Sequence, residues 1–155
     1  MTAPGTRSFL GFDFGTKRIG ISLGQELTES ARPLHTLSSR DGKPDWAAIE
    51  ALIAEWKPDA LVVGLPYNLD GSDSEQTERA RRFSRQLNGR MRLPVALMDE
   101  RLSSEAARRE IATRRADGRR RTSRKGDLDA VAAALILENW LQAGQPGLCP
   151  PTGPA

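Results

Sequence analysis

The chain has one cysteine, Cys149, and one histidine, His35, among its 155 residues. A single cysteine excludes a disulfide framework within the chain, and a single histidine beside it excludes a Cys/His metal cluster. His35 falls in a stretch expected to be an edge strand, with no Cys or His partner, so it is expected at the surface and not as a ligand. No apolar run reaches the length of a membrane span. Thr2 to Ser8 is polar, so a secretory leader is not expected, and a cytoplasmic protein without a membrane partner is the default. The sequence also lacks an internal repeat.

What is present suits one soluble domain: 38% of residues are hydrophobic and 28% charged. A domain of this length buries roughly 70% of its unfolded surface, enough for a proper core. The net charge of +3 hides an asymmetry, because residues 114–125 hold seven basic residues and one acid. A basic block on a slightly acidic body points to contact with a polyanion, with a solvated loop as the bland alternative.

Strand and helix signals alternate. Residues 8–14 read as a first strand, Arg18 to Gln25 as a second with Ile19, Ile21 and Leu23 alternating, and Ala31 to Leu37 as a third that Pro33 marks as an edge. Short connections make an antiparallel meander the expected arrangement. Asp45 is the expected N-cap of a helix whose face carries Trp46, Ile49, Leu52, Ile53 and Trp56. Ala60 to Leu65 is a wholly apolar strand, as expected of a buried parallel one. Ser72 and Glu75 have capping-box spacing for a helix to about Asn88-Gly89. A strand over Val95 to Met98, a helix from Ser103 or Ser104 to about Arg115, a basic loop and a helix from Asp127 to Gln142 follow. Residues 1–7 are expected to be a flexible lead, 8–143 one domain, and 144–155 a disordered Pro/Gly-rich tail. The order implies a mixed five-stranded sheet, a three-strand meander plus two parallel strands, flanked by helices.

The chemistry rests on carboxylates. Asp13 is set in the run Phe9-Leu-Gly-Phe-Asp-Phe, where a lone charge is costly unless paired. In open α/β sheets, sites form at the carboxyl ends of strands, where Asp13 and the pair Asp99-Glu100 fall. Alternation lets only one of that pair face Asp13, and spacing alone does not choose. Asp127 and Asp129 lie about 200° apart on a helix. Asp129 heads the apolar line Ala132, Ala133, Ile136, Trp140 and is expected to point inward, whereas Asp127 suits an N-cap. Three inward carboxylates repel one another without cations. Two Mg²⁺ or Mn²⁺ ions roughly 4 Å apart would turn them into a phosphodiester-cleaving site, and all-oxygen ligation suits those metals.

Four stretches carry a resemblance: Asp13-Phe-Gly-Thr-Lys-Arg-Ile-Gly, Val63-Gly-Leu-Pro-Tyr-Asn-Leu-Asp-Gly, Asp99-Glu-Arg-Leu-Ser, and Asp129-Ala-Val-Ala-Ala-Ala-Leu-Ile-Leu. Together they span about residues 9–142, and the chain resembles the YqgF (RuvX-like) family of pre-16S rRNA nucleases, relatives of the Holliday-junction resolvases with a ribonuclease H-like fold. The resemblance implies that Asp13, Glu100 and Asp129 are catalytic, metal-binding acids, with Asp127 in reserve. Lys17 and Arg18 could hold a phosphate, Arg101 could balance the acids or touch substrate, and Asn68 could contact substrate or simply shape its loop. Arg119, Arg120, Arg121, Arg124 and Lys125 are expected to follow a nucleic-acid backbone.

The leading reading is thus a two-metal nuclease on structured RNA, trimming the precursor 16S rRNA 5′ end, with ribosomal precursor particles as candidate partners. Branched-DNA resolution is the runner-up. Resolvases of this fold work as dimers, and no dimer face is evident, so a monomer or weak dimer is expected. Two other classes compete. One is a phosphotransferase, since Asp-Phe-Gly-Thr also resembles the first phosphate loop of sugar kinases and actin-like ATPases, which need two such domains. The other is a non-catalytic nucleic-acid-binding factor in transcription or translation.

Overall fold

A computed structural model describes residues 7–15, 17–39, 43–66, 70, 72–99 and 125–147. Five strands form one sheet: β1 (Ser8–Phe14), β2 (Arg18–Gln25), β3 (Ser30–Ser38), β4 (Ala60–Leu65) and β5 (Val95–Asp99), in the order β3-β2-β1-β4-β5. β1, β2 and β3 pair antiparallel, as short turns dictate, while β1–β4 and β4–β5 are parallel. β3 is an edge strand and keeps His35 exposed. Every residue of β4 is buried, which its unbroken apolar run requires.

Helices α1 (Trp46–Trp56) and α2 (Glu75–Met91) bridge β3 to β4 and β4 to β5. Their apolar sides meet one face of the sheet, where Leu10, Phe12, Phe14, Ile19, Ile21, Leu61 and Val63 pack with Ile49, Phe83 and Leu87. The last described helix, α3 (Lys125–Gln142), covers the other face and packs Ile136, Leu137, Trp140 and Leu141 against Phe9, Val62, Ala96 and Met98. Phe9 and Trp140 meet edge to face at 5.1 Å.

Several local expectations change. Asp45 does cap α1, accepting from the Ala48 amide at 3.2 Å. The cap of α2 is Ser74 and not Ser72: Ser74 and Thr77 form a reciprocal capping box, and α2 runs past Gly89 to Met91 before Arg92 takes a left-handed conformation. Ser72 instead bonds back to Asp70, an Asx-type turn that uses the same hydroxyl chemistry locally. Helix α3 begins at Lys125, so Asp127 is its third residue and not its N-cap, and Lys125 belongs to the helix and not to the basic loop. The helix expected from Ser103 or Ser104 to Arg115 lies outside the described residues. Beyond α3, Gln145 bonds Glu26 and accepts from Arg7 at 2.8 Å, and the Trp140 indole donates to the Pro146 carbonyl at 2.8 Å. Among the described residues no helix is long and apolar enough to cross a membrane.

Candidate active site

Period-two alternation assigns each residue of β1 to a face. Phe12 and Phe14 join the α1/α2 layer, so they do not surround Asp13 as their spacing in sequence suggests. Asp13 stands directly across from Gly20 of β2, on the face that α3 covers. It is half-buried at the carboxyl end of the central strand.

Gly20 lets the helix come down beside it. A Cβ at Gly20 would sit 1.9 Å from the Asp129 carbonyl oxygen and 2.8 Å from the Ala130 nitrogen, inside any permitted contact. Further down the same face, a Cβ at Gly11 would lie 2.8 Å from the Leu137 Cβ. Between them the buried Ser22 hydroxyl donates to the Ala133 carbonyl at 2.8 Å, fixing the helix along the strand. Gly20 closes the first motif without any feature of its own beyond the missing side chain. Its signal was available, because a glycine inside an alternating strand often marks close backbone approach.

Asp129 on α3 is therefore brought to the end of β1. Arg18 opens β2 and its Nε donates to Asp129 Oδ2 at 2.8 Å, with both side chains about a third exposed. Asp13, Arg18, Gly20 and Asp129 thus share one face at one edge of the sheet, as the inward reading of Asp129 required. Lys17 is exposed in the preceding turn, which the Gly15 amide closes onto the Arg18 carbonyl at 2.9 Å. In β5, Ala96 and Met98 face α3, whereas Val95 packs with the α1/α2 layer. Asp99 has the parity of Val95 and so is not the residue of the pair that faces Asp13. Glu100, Arg101, Asn68, Arg119, Arg120, Arg121 and Arg124 lie outside the described residues. Among the described residues no three Asp, Glu, His or Cys side chains gather as a metal-binding group.

The donor chemistry fits hard divalent cations. Asp13 and Asp129 offer oxygen only, on a face lined by glycine, and a cationic guanidinium already stands against one Asp129 oxygen.

A meander of three strands extended by two parallel ones, with helices on both faces, defines the ribonuclease H-like class. Solved structures agree on the fold. The chain is similar to a structure titled "T. thermophilus RuvC in complex with Holliday junction substrate", with a TM-score of 0.61 at 17% identity over 92% of this chain and 99% of that one. It is similar also to a second Thermus thermophilus RuvC structure, at a TM-score of 0.56. Within that class, residues 7–143 match the family model described as "RuvX: Holliday junction resolvase", and the chain belongs to this family. Relatives named "Putative pre-16S rRNA nuclease" include one from Pseudomonas putida, 53% identical over 88% of this chain and 96% of its own length. One from Pseudomonas paraeruginosa is 55% identical over 87% and 92%.

Proposed function

We propose that this protein is a divalent-metal-dependent nuclease that hydrolyses phosphodiester bonds in structured RNA and processes the 5′ end of precursor 16S rRNA. The observation that carries the reading is the convergence of Asp13 and Asp129 across Gly20 at the carboxyl end of the central strand. Glu100 is the third acid in this proposal, because it stands in the sequence motif Asp99-Glu-Arg-Leu-Ser and Asp99 itself has the parity of Val95. The relatives' names supply the RNA.

In this reading Asp13, Glu100 and Asp129 hold Mg²⁺ or Mn²⁺, which supplies an activated water and stabilises the leaving oxygen. Arg18 keeps the Asp129 carboxylate oriented, and its exposed edge leaves it able to meet a phosphate. Lys17 adds a cation at the mouth, and the cations of 119–125 follow the substrate backbone. The family description favours a second substrate, branched DNA.

Labelled precursor rRNA and a DNA four-way junction, incubated side by side with Mn²⁺ and with chelator, separate these readings. The expected result is metal-dependent cleavage of the precursor near its 5′ end. Cleavage undiminished by chelator would remove the metal mechanism, and cleavage of the junction alone would replace the RNA reading.

A further inference from the structure

On the face of the sheet opposite Asp13, the start of α1 and the outer side of α2 wall a cavity of about 610 Å³. That is the size of a small-ligand site. Its floor is a run of aromatic rings: Phe14 stacks on Phe83 at 4.7 Å, and Phe83 stacks on Trp46 at 5.6 Å. Its walls carry Lys43, Arg79, Arg82 and Arg90, and among the described residues no acidic side chain lines it. The Arg90 guanidinium carbon lies over the Trp46 ring, 4.5 Å from its centre. Arg79 is shared with Glu75 at 2.7 Å, and Lys43 and Arg82 are exposed.

This lining selects its ligand. A purely apolar molecule would desolvate four cations for no return, and a bare inorganic anion would leave the ring floor unused. A nucleotide has both parts. Its phosphates suit the cations, and its base can stack on an aromatic ring or a guanidinium plane. A duplex keeps its bases inside and offers none to a concave site. We propose that this cavity binds a nucleotide of single-stranded RNA, with phosphates on Lys43 and Arg82 and the base against the Arg90–Trp46 pair.

Its place connects it to the candidate active site. Phe14 follows Asp13 directly, and the two occupy opposite faces of β1 at its carboxyl end. A strand held in the cavity therefore reaches the edge of the sheet one residue from the acid. The identity of the strand, the single-stranded extension beside the cleavage point, rests on the nuclease reading. The affinity does not, since it is measured without hydrolysis.

The test is an anisotropy titration of the full chain with a fluorescein-labelled oligouridine of about ten nucleotides, within the range one such groove covers, in excess chelator. Lys43→Glu combined with Arg82→Glu is expected to weaken binding about tenfold or more and to flatten its salt dependence. Lys57→Glu combined with Arg85→Glu makes the same charge change outside the cavity, and is expected to weaken it less than about threefold. In a Trp56→Phe background only Trp46 and the fully buried Trp140 remain, and the oligonucleotide is expected to quench the Trp46 component of the fluorescence. All substituted side chains on the cation side are exposed, and thermal melts confirm that the variants fold. Absent binding, equal losses for the two double variants, or equal competition by duplex RNA, would overturn the proposal. Binding that depends on Lys43 and Arg82 without any cleavage of precursor rRNA would reject the nuclease reading and leave the pocket. Cleavage with binding indifferent to those residues would do the reverse.

Discussion

Gly20 decides how close the two acids come. A methyl group there would have to displace the backbone of α3 at Asp129, and no flexible side chain is available to yield. Gly20→Ala is therefore expected to destabilise the protein by about 3 kcal/mol, as overpacking does. It should also remove cleavage even where the fold persists, because Asp129 moves away from Asp13. Urea unfolding and the precursor assay on the same preparation check both. Asp13→Asn and Glu100→Gln are expected to abolish cleavage with no loss of metal-free melting temperature, since each takes a charge from a repelling group. A large drop for Asp13→Asn would mean that the residue serves the fold. The Arg18–Asp129 pair is partly solvated, so Arg18→Gln is expected to change stability by only about 0–1 kcal/mol. Losing a competing cation, it should bind Mn²⁺ more tightly in calorimetry without nucleic acid, and bind substrate less tightly.

Among the elements, those with a strict period were readable and those with competing local chemistry were not. β2 and β4 follow from Ile19, Ile21, Leu23 and from the unbroken run Ala60 to Leu65. The inward turn of Asp129 follows from the stripe it heads. The cap of α2 shows the limit. Ser72 and Ser74 both precede Glu75, and spacing favoured the first, but Asp70 takes the Ser72 hydroxyl and leaves Ser74 to pair with Thr77. Ser74→Ala is expected to cost about 1 kcal/mol in denaturant unfolding, and Ser72→Ala only a few tenths. In α3, the charged run before Asp127 gave no apolar period to mark the start, so the helix begins two residues earlier than Asp127 suggests. The apolar run around Asp13 does not give the carboxylate its neighbours. Adjacent apolar residues in a strand point to opposite layers, so Phe12 and Phe14 pack against Phe83 rather than around the carboxylate.

At the scale of the whole molecule, positive charge is available at two places in the chain, the 114–125 block and the outer side of α2. Replacing Arg119, Arg120, Arg121, Arg124 and Lys125 by Ser is expected to weaken RNA binding more than the maximal cleavage rate. Each lost phosphate contact should change the log–log salt slope by roughly 0.7 to 0.9. Binding titrations at several salt concentrations measure it, and an unchanged slope would make the run a solvated loop.

The bond between Arg18 and Asp129 joins residues 111 positions apart. Helix α3 packs on strands that lie far earlier in the chain, so that face of the sheet stays open until α3 itself is made. Closing so long a loop is entropically costly before any contact compensates, which places assembly of the acid pair late in folding. Trp140 is buried in α3 against Phe9 and reports that event. In a chain with Trp46→Phe and Trp56→Phe, its fluorescence change is expected to trail the far-ultraviolet signal of the sheet and the other helices. The two acids therefore come to share a face only once α3 has been made: a chain that stops short of it carries Asp13 on a sheet with one bare face.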